Sequence, residues 1–205
     1  MRAKQFDKLI RAALGPVLEP LGFTAAESKR STFTRRVANE HQHDDIVHVI
    51  LPDRSTRGNW FDVRVFPTSP HVNPLFDLEF PDDLRFPTQS SSLLSEEGVG
   101  IRQTTFSCSR EDSVQKAVDL RLGRLLREHA VPYLNQFQTV EDMLPFIQHH
   151  WPRAFALDHL GRTEEARDIL RANLERLPKY DPNDETIRIY NGRVYAILGI
   201  DPPSE

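Results

Sequence analysis

Asn59-Trp60-Phe61-Asp62-Val63-Arg64-Val65-Phe66 is the stretch on which the fold turns. Aromatic and β-branched residues crowd it, and apolar side chains fall on both faces of an alternating pattern, which suits a pleated strand and not an amphipathic helix. We expect a strand from Trp60 to Phe66 with both faces covered. The alternative leaves one face open, so that Trp60, Arg64 and Phe66, residue types favoured at interaction hot spots, form a docking surface.

Working outward, the same period of two marks strands at 31–37, 45–51 and 76–80, where Phe76, Leu78 and Phe80 alternate with Asp77 and Glu79. The separators are short and rich in Pro, Gly and charge, as in an antiparallel meander. Residues 81–100, with Pro, Ser and Glu and no clear period, predict a long loop with one helical turn at Ser92 to Glu97. A fifth strand is expected at 101–108, so the sheet has about five strands, largely antiparallel.

Helices flank these strands. Phe6, Leu9, Ile10, Ala13, Leu14, Val17, Leu18 and Leu21 form one apolar helical face, with Pro16 expected to kink or restart the helix and Gly22 to end it. After Ser109, read as an N-cap with Asp112 completing a capping box, the row Val114, Ala117, Val118, Leu122, Leu125, Leu126 predicts a second helix. It should break or bend at Val131-Pro132-Tyr133-Leu134. Thr139 and Asp142 form another capping box before a short helix. The fold class is therefore α+β, with helices covering the sheet.

Beyond a soft boundary near Gln148 to Pro152 the pattern is helical, in stretches 152–160, 164–177 and 184–198. Gly161 and Gly199 each follow a leucine at a helix end, 38 residues apart (199 minus 161). We expect an α+β domain over 1–150 and a helical tail over 151–205 packed on it, with Phe155, Leu157, Leu160, Ile169, Leu170 and Leu174 buried.

The words Ala156-Leu157-Asp158-His159-Leu160-Gly161-Arg162-Thr163-Glu164-Glu165-Ala166, followed by Leu170, Leu174 and Pro178, resemble a tetratricopeptide repeat. The resemblance implies a helical hairpin crossing closely at Ala166, then the first helix of another repeat. One and a half repeats are too few for the peptide-binding groove of longer arrays, which need about three neighbours. The first part resembles a bacterial family, domain of unknown function 4304. Leu21-Gly22-Phe23, Phe33-Thr34-Arg35, Val131-Pro132-Tyr133-Leu134 and Thr139-Val140-Glu141-Asp142 carry this, over about residues 5–147. A tryptophan pair that the family often carries is missing around Gly98 to Thr105. The resemblance implies a fold and no activity.

Composition narrows the partners. The 26 basic and 30 acidic residues, for a net charge of −4, are interleaved along the 205-residue chain, so there is no basic face for nucleic acid. No apolar run approaches the ~18 residues that span a bilayer, and the N-terminal residues lack a signal-peptide pattern. A single cysteine, Cys108, forms no internal disulfide and suits a reducing compartment, so a cytoplasmic protein is expected.

Tests for chemistry return little. Gly98-Val99-Gly100 lacks the lysine and third glycine of phosphate-binding loops and reads as a turn before a strand. His41, His43 and Asp45, with Asp44 and nearby His48, have metal-ligand chemistry, although a solvated loop explains them as well. His149-His150 diverge on a helix and read as a helix end where positive charge suits the dipole. Ser90-Ser91-Ser92 and Cys108 have no recognisable base, and Cys108 reads as a small buried hydrophobe. Asp77, Glu79, Asp82 and Asp83 read as a solvated sheet face. We expect no catalytic or cofactor-binding residues and no cofactor. The expectation is a non-enzymatic interaction or binding module, leaning away from an enzyme, with another protein as partner. The alternatives are a small-ligand or metal-binding enzyme with a site in the sheet concavity, and a toxin-immunity protein.

Overall fold

The computed structural model of the chain describes residues 1–26, 31–38, 44–75, 93–100, 103–181 and 183–201. The strand expected at 76–80, the carboxylates Asp77, Glu79, Asp82 and Asp83, the serines Ser90 to Ser92, and His41 and His43 lie outside the described residues. The fold is α+β, and the chain groups into two compact units interleaved in sequence: Met1–Asn39, Val47–Pro67 and Ser90–Gln138 form one, and Glu40–Ile46, Thr68–Gln89 and Thr139–Glu205 the other.

Among the described residues of the first unit, seven strands make one sheet: β1 (Thr24–Ala25), β2 (Phe33–Arg36), β3 (Val47–Arg54), β4 (Trp60–Thr68), β5 (Leu93–Ser95), β6 (Gly98–Gly100) and β7 (Phe106–Ser107). β1 to β6 neighbour one another in chain order, and β7 pairs with β4. Register places Phe33 opposite Ile50 and Arg35 opposite His48 on β2 and β3, and Phe61 opposite Phe106 on β4 and β7, all antiparallel. Alternation decides what each face carries: Phe61, Val63 and Val65 enter one apolar core, while Asp62 and Phe66 on the opposite face are buried too.

Two expectations for this region are corrected. Residues 93–97 are not a helical turn. Leu93 to Ser95 pair with Gly98 to Gly100, and the Ser95 hydroxyl closes the tip by donating to Gly98 O (3.1 Å) and accepting from Glu97 N–H (3.2 Å). Among the described residues of the strand expected over 101–108, only Phe106–Ser107 pair with β4, opposite Phe61 and Trp60; Gly98 to Gly100 form a strand themselves. Cys108, just past β7, is buried, with burial raising its thiol pKa.

Helix α1 (Ala3–Leu18) runs through Pro16, whose missing donor falls in the last turn, into a 3₁₀ turn Glu19–Leu21 that Gly22 closes. Phe6, Ile10, Ala13, Leu14 and Leu18 enter the core, with Phe6 against Phe61 (centroids 5.2 Å). Residues 111–134 form one long helical path: α2 (Glu111–Ala117), α3 (Gly123–Leu125) and α4 (Val131–Leu134), joined by π turns Val118–Leu122 and Leu126–Ala130. It starts one residue later than the sequence indicates, at Arg110, whose N–H is accepted by Ser113 Oγ (2.9 Å). Gly123 permits the first wide turn, since a Cβ there would meet Val118 O at 3.0 Å and Val17 Cγ2 at 3.7 Å. Pro132 follows the second wide turn, where the regular ladder is already interrupted. The expected apolar row is buried, with Ala117 at its margin.

The second unit is helical in its described residues beyond 138: α5 (Val140–Met143), α6 (His150–His159), α7 (Thr163–Asn173) and α8 (Glu185–Leu198). Thr139 caps α5 as expected, its Oγ1 accepting from Asp142 N–H (3.2 Å) while Asp142 Oδ2 accepts from Thr139 N–H (2.8 Å). Gly161 (φ 76°) and Gly199 (φ 69°) end α6 and α8 in the left-handed region, where a Cβ is costly. Phe155, Leu157, Ala166 and Leu170 are buried and Leu160 and Ile169 half-buried. Leu174, expected inside, is 37% exposed because α7 ends at Asn173 and a 3₁₀ turn swings it outward.

Candidate functional site

β4 holds the three residues that the sequence offered as a surface. Trp60 is 37% exposed, Phe66 is 3% exposed, and Arg64 Nη2 forms an ion pair with Asp53 Oδ2 at 3.0 Å. Phe66 thus presents no surface. Between them stands Asp62, 8% exposed, with no hydrogen bond to its Oδ1. Burial pushes its carboxyl pKa up to about 6, Asp53 adds to this, and Arg64 offsets part of it. The sequence hid Asp62 because an acidic residue in an alternating strand reads as a solvated position.

His48 has both ring nitrogens engaged within the fold. At 1% exposed, its Nδ1 accepts from Arg35 Nη2 (2.9 Å), since a guanidinium only donates, and its Nε2–H therefore donates to Phe137 O (2.8 Å). Burial lowers its pKa to about 4, against the hydrogen bond to Phe137, and the neighbouring Arg35 charge lowers it further. Arg35 also donates to Leu21 O (3.1 Å) and Asn135 Oδ1 (2.6 Å) and lies 4.7 Å over the Phe23 ring. One arginine thus ties β2, β3 and two helix ends together.

In the second unit, Asp44 uses both carboxylate oxygens structurally. Oδ1 accepts from His159 Nε2 (2.8 Å) and Oδ2 from the N–H of Val140 (3.0 Å), the first residue of α5. His71 stacks on His159 at 3.9 Å. Asp45 stands beside Asp44 with φ 43°, and among the described residues no group of three or more His, Cys, Asp or Glu could hold a metal ion. His149 and His150 open α6 rather than ending a helix, the reverse of the dipole arrangement expected. Burial lowers the His150 pKa, with Arg176 and His149 adding to the shift.

The arrangement with the clearest binding chemistry is a groove of about 370 Å³ lined by Asp158, Thr163, Arg167, Arg193, Ala196 and Ile197, the end of α6, the start of α7 and the last turns of α8. Its volume lies within the range of small-ligand sites, roughly 300–1,000 Å³. The polar groups are held before any ligand arrives. Arg193 donates to His71 O (2.9 Å) and Pro70 O (3.4 Å) and lies 5.2 Å over the Phe155 ring. Arg167 donates through Nε to Ile197 O (2.8 Å) and through Nη1 to Glu164. Thr163 Oγ1 donates to Asp158 Oδ1 (3.0 Å). Burial lowers the Arg193 pKa from its ordinary value, with Asp158 opposing the shift.

The sequence did not indicate this groove. Its charged residues sit on three helices between 158 and 193, each resembling an ordinary solvated helix position. The one local signal was Arg193 in the row Tyr190-Asn191-Gly192-Arg193-Val194-Tyr195, a charge among residues that are mostly buried. Among the described residues no helix is long and apolar enough to cross a membrane. No known family model matches the chain, nor does any curated protein or solved structure.

Proposed function

We propose that this chain is a non-enzymatic binding module and that its ligand sits in the groove of α6, α7 and α8. One observation carries this: two guanidinium groups line a groove of about 370 Å³ and are pinned there by backbone carbonyls of Pro70, His71 and Ile197. Groups fixed in advance lose little freedom on binding, which is how a small site gains affinity. Among the described residues, His159 and Asp44 pair as an acid and a base could, and they are engaged in holding α5 and α6.

The tetratricopeptide resemblance of the tail belongs to the same proposal. Left-handed glycines at 161 and 199 and the buried Ala166 support it, as does the close packing of α6 against α7 across the short link 160–162. Membership of about residues 5–147 in domain-of-unknown-function family 4304, which supplies no activity, is a further part of what we propose.

The test is a titration of the isotope-labelled full chain with a panel of amino acids, carboxylates, phosphates and short peptides, followed by amide shifts. Some member of the panel is expected to move the amides of Thr163, Arg167, Ala196 and Ile197 and to lose affinity in Arg167→Gln. Ligands that map elsewhere, or a panel that binds nowhere, would overturn the proposal.

A further inference from the structure

The groove's charges restrict what it can hold. Thr163 occupies Asp158 Oδ1, so Oδ2 is the acceptor left for a ligand. Arg167 is held through Nε and Nη1, leaving Nη2, and Arg193 retains three of its five N–H donors after serving Pro70 and His71. A simple anion would satisfy the two arginines and meet repulsion from Asp158. A simple cation would pair with Asp158 and face two guanidinium groups. A ligand carrying both charges a few bonds apart satisfies the whole lining.

Asp158 is tied to the start of α7 through Thr163, and Arg167 to the end of α8 through Ile197 O, so the side-chain charges and not the helix dipoles set where each end of the ligand lies. Ala196 and Ile197 add a short apolar wall beside these charges.

Resting on the assignment of the groove as the binding site, we propose that its ligand is the zwitterionic head of a free α-amino acid with a small apolar side chain. The carboxylate lies against Arg167 and Arg193, and the ammonium against Asp158.

Three matched probes test this on the full chain by calorimetry and amide shifts: L-leucine, its deaminated counterpart 4-methylpentanoate, and its decarboxylated counterpart 3-methylbutylamine. Removing either charged group from the ligand deletes a charge-assisted hydrogen bond and should cost about tenfold in affinity or more, so L-leucine should bind at least about tenfold tighter than either analogue. Asp158→Asn keeps an acceptor for Thr163 and should abolish the preference for leucine over 4-methylpentanoate. Arg167→Gln should weaken both by about tenfold, its folding checked by circular dichroism. Equal binding of leucine and 4-methylpentanoate, or a preference that survives Asp158→Asn, would overturn the ligand class and leave the groove as a carboxylate site. Failure of all three probes to move the groove amides also overturns the ligand class, and the groove itself is then judged by the wider panel above.

Discussion

Replacing His48 with leucine separates a buried hydrogen-bonding role from a surface one. In the native state the imidazole is neutral, with its pKa lowered from 6.5 to about 4, chiefly by burial. His48 in the unfolded chain therefore takes up a proton first as pH falls, and the contribution of this imidazole to stability must decrease between about pH 6.5 and pH 4. At about 1.4 kcal/mol per pH unit, the gap corresponds to about 3 kcal/mol. At neutral pH the substitution removes the donor to the buried Phe137 O and the acceptor for Arg35, at a cost of about 1–3 kcal/mol. Asp62 acts in the opposite sense over nearly the same range: its raised pKa stabilises the native state below about pH 4, an effect lost as pH rises through 6. The two contributions offset each other in the native protein. The informative quantity is thus the difference between native protein and His48→Leu, from urea unfolding at about pH 4.5, 5.5, 6.5 and 7.5. The difference, native minus variant, should be largest at pH 7.5 and fall by about 2–3 kcal/mol towards pH 4.5, reaching zero or changing sign. Parallel profiles would refute the assignment of His48 as a neutral, doubly bonded group.

Three further outcomes follow from the same physics. Asp62→Asn should raise stability at about pH 7.5 by about 1–2 kcal/mol, a face value near 3 reduced for solvent screening, with the gain vanishing near pH 4 in the same urea series. Gly161→Ala should cost about 1 kcal/mol in urea unfolding, because φ 76° is strained for a residue with a Cβ. Thr139→Ala should cost about 1 kcal/mol, and Thr139→Ser distinctly less, because serine keeps the oxygen that accepts from Asp142 N–H.

Elements whose causes are local were legible in the order of the amino acids. The rows on α1 and on residues 111–126 faced the core as their periodicity required, and the Thr139 cap needs only a side-chain oxygen three residues from its donor. The alternation in Trp60 to Phe66 set which residues share a face, though not that Phe66 would be inside and Trp60 partly outside. Packing decided whatever depends on residues brought together from afar. Arg35 meets Asn135 a hundred positions away, and Arg193 meets His71 across 122. The β5–β6 hairpin is a pairing choice that the composition of residues 93–100 left open. The groove gathers an aspartate, a threonine and two arginines from three helices, each an ordinary residue on its own helix face. Local periodicity reports which side of an element is buried, whereas the chemistry of a site depends on the distances between elements, and only the packed chain sets those.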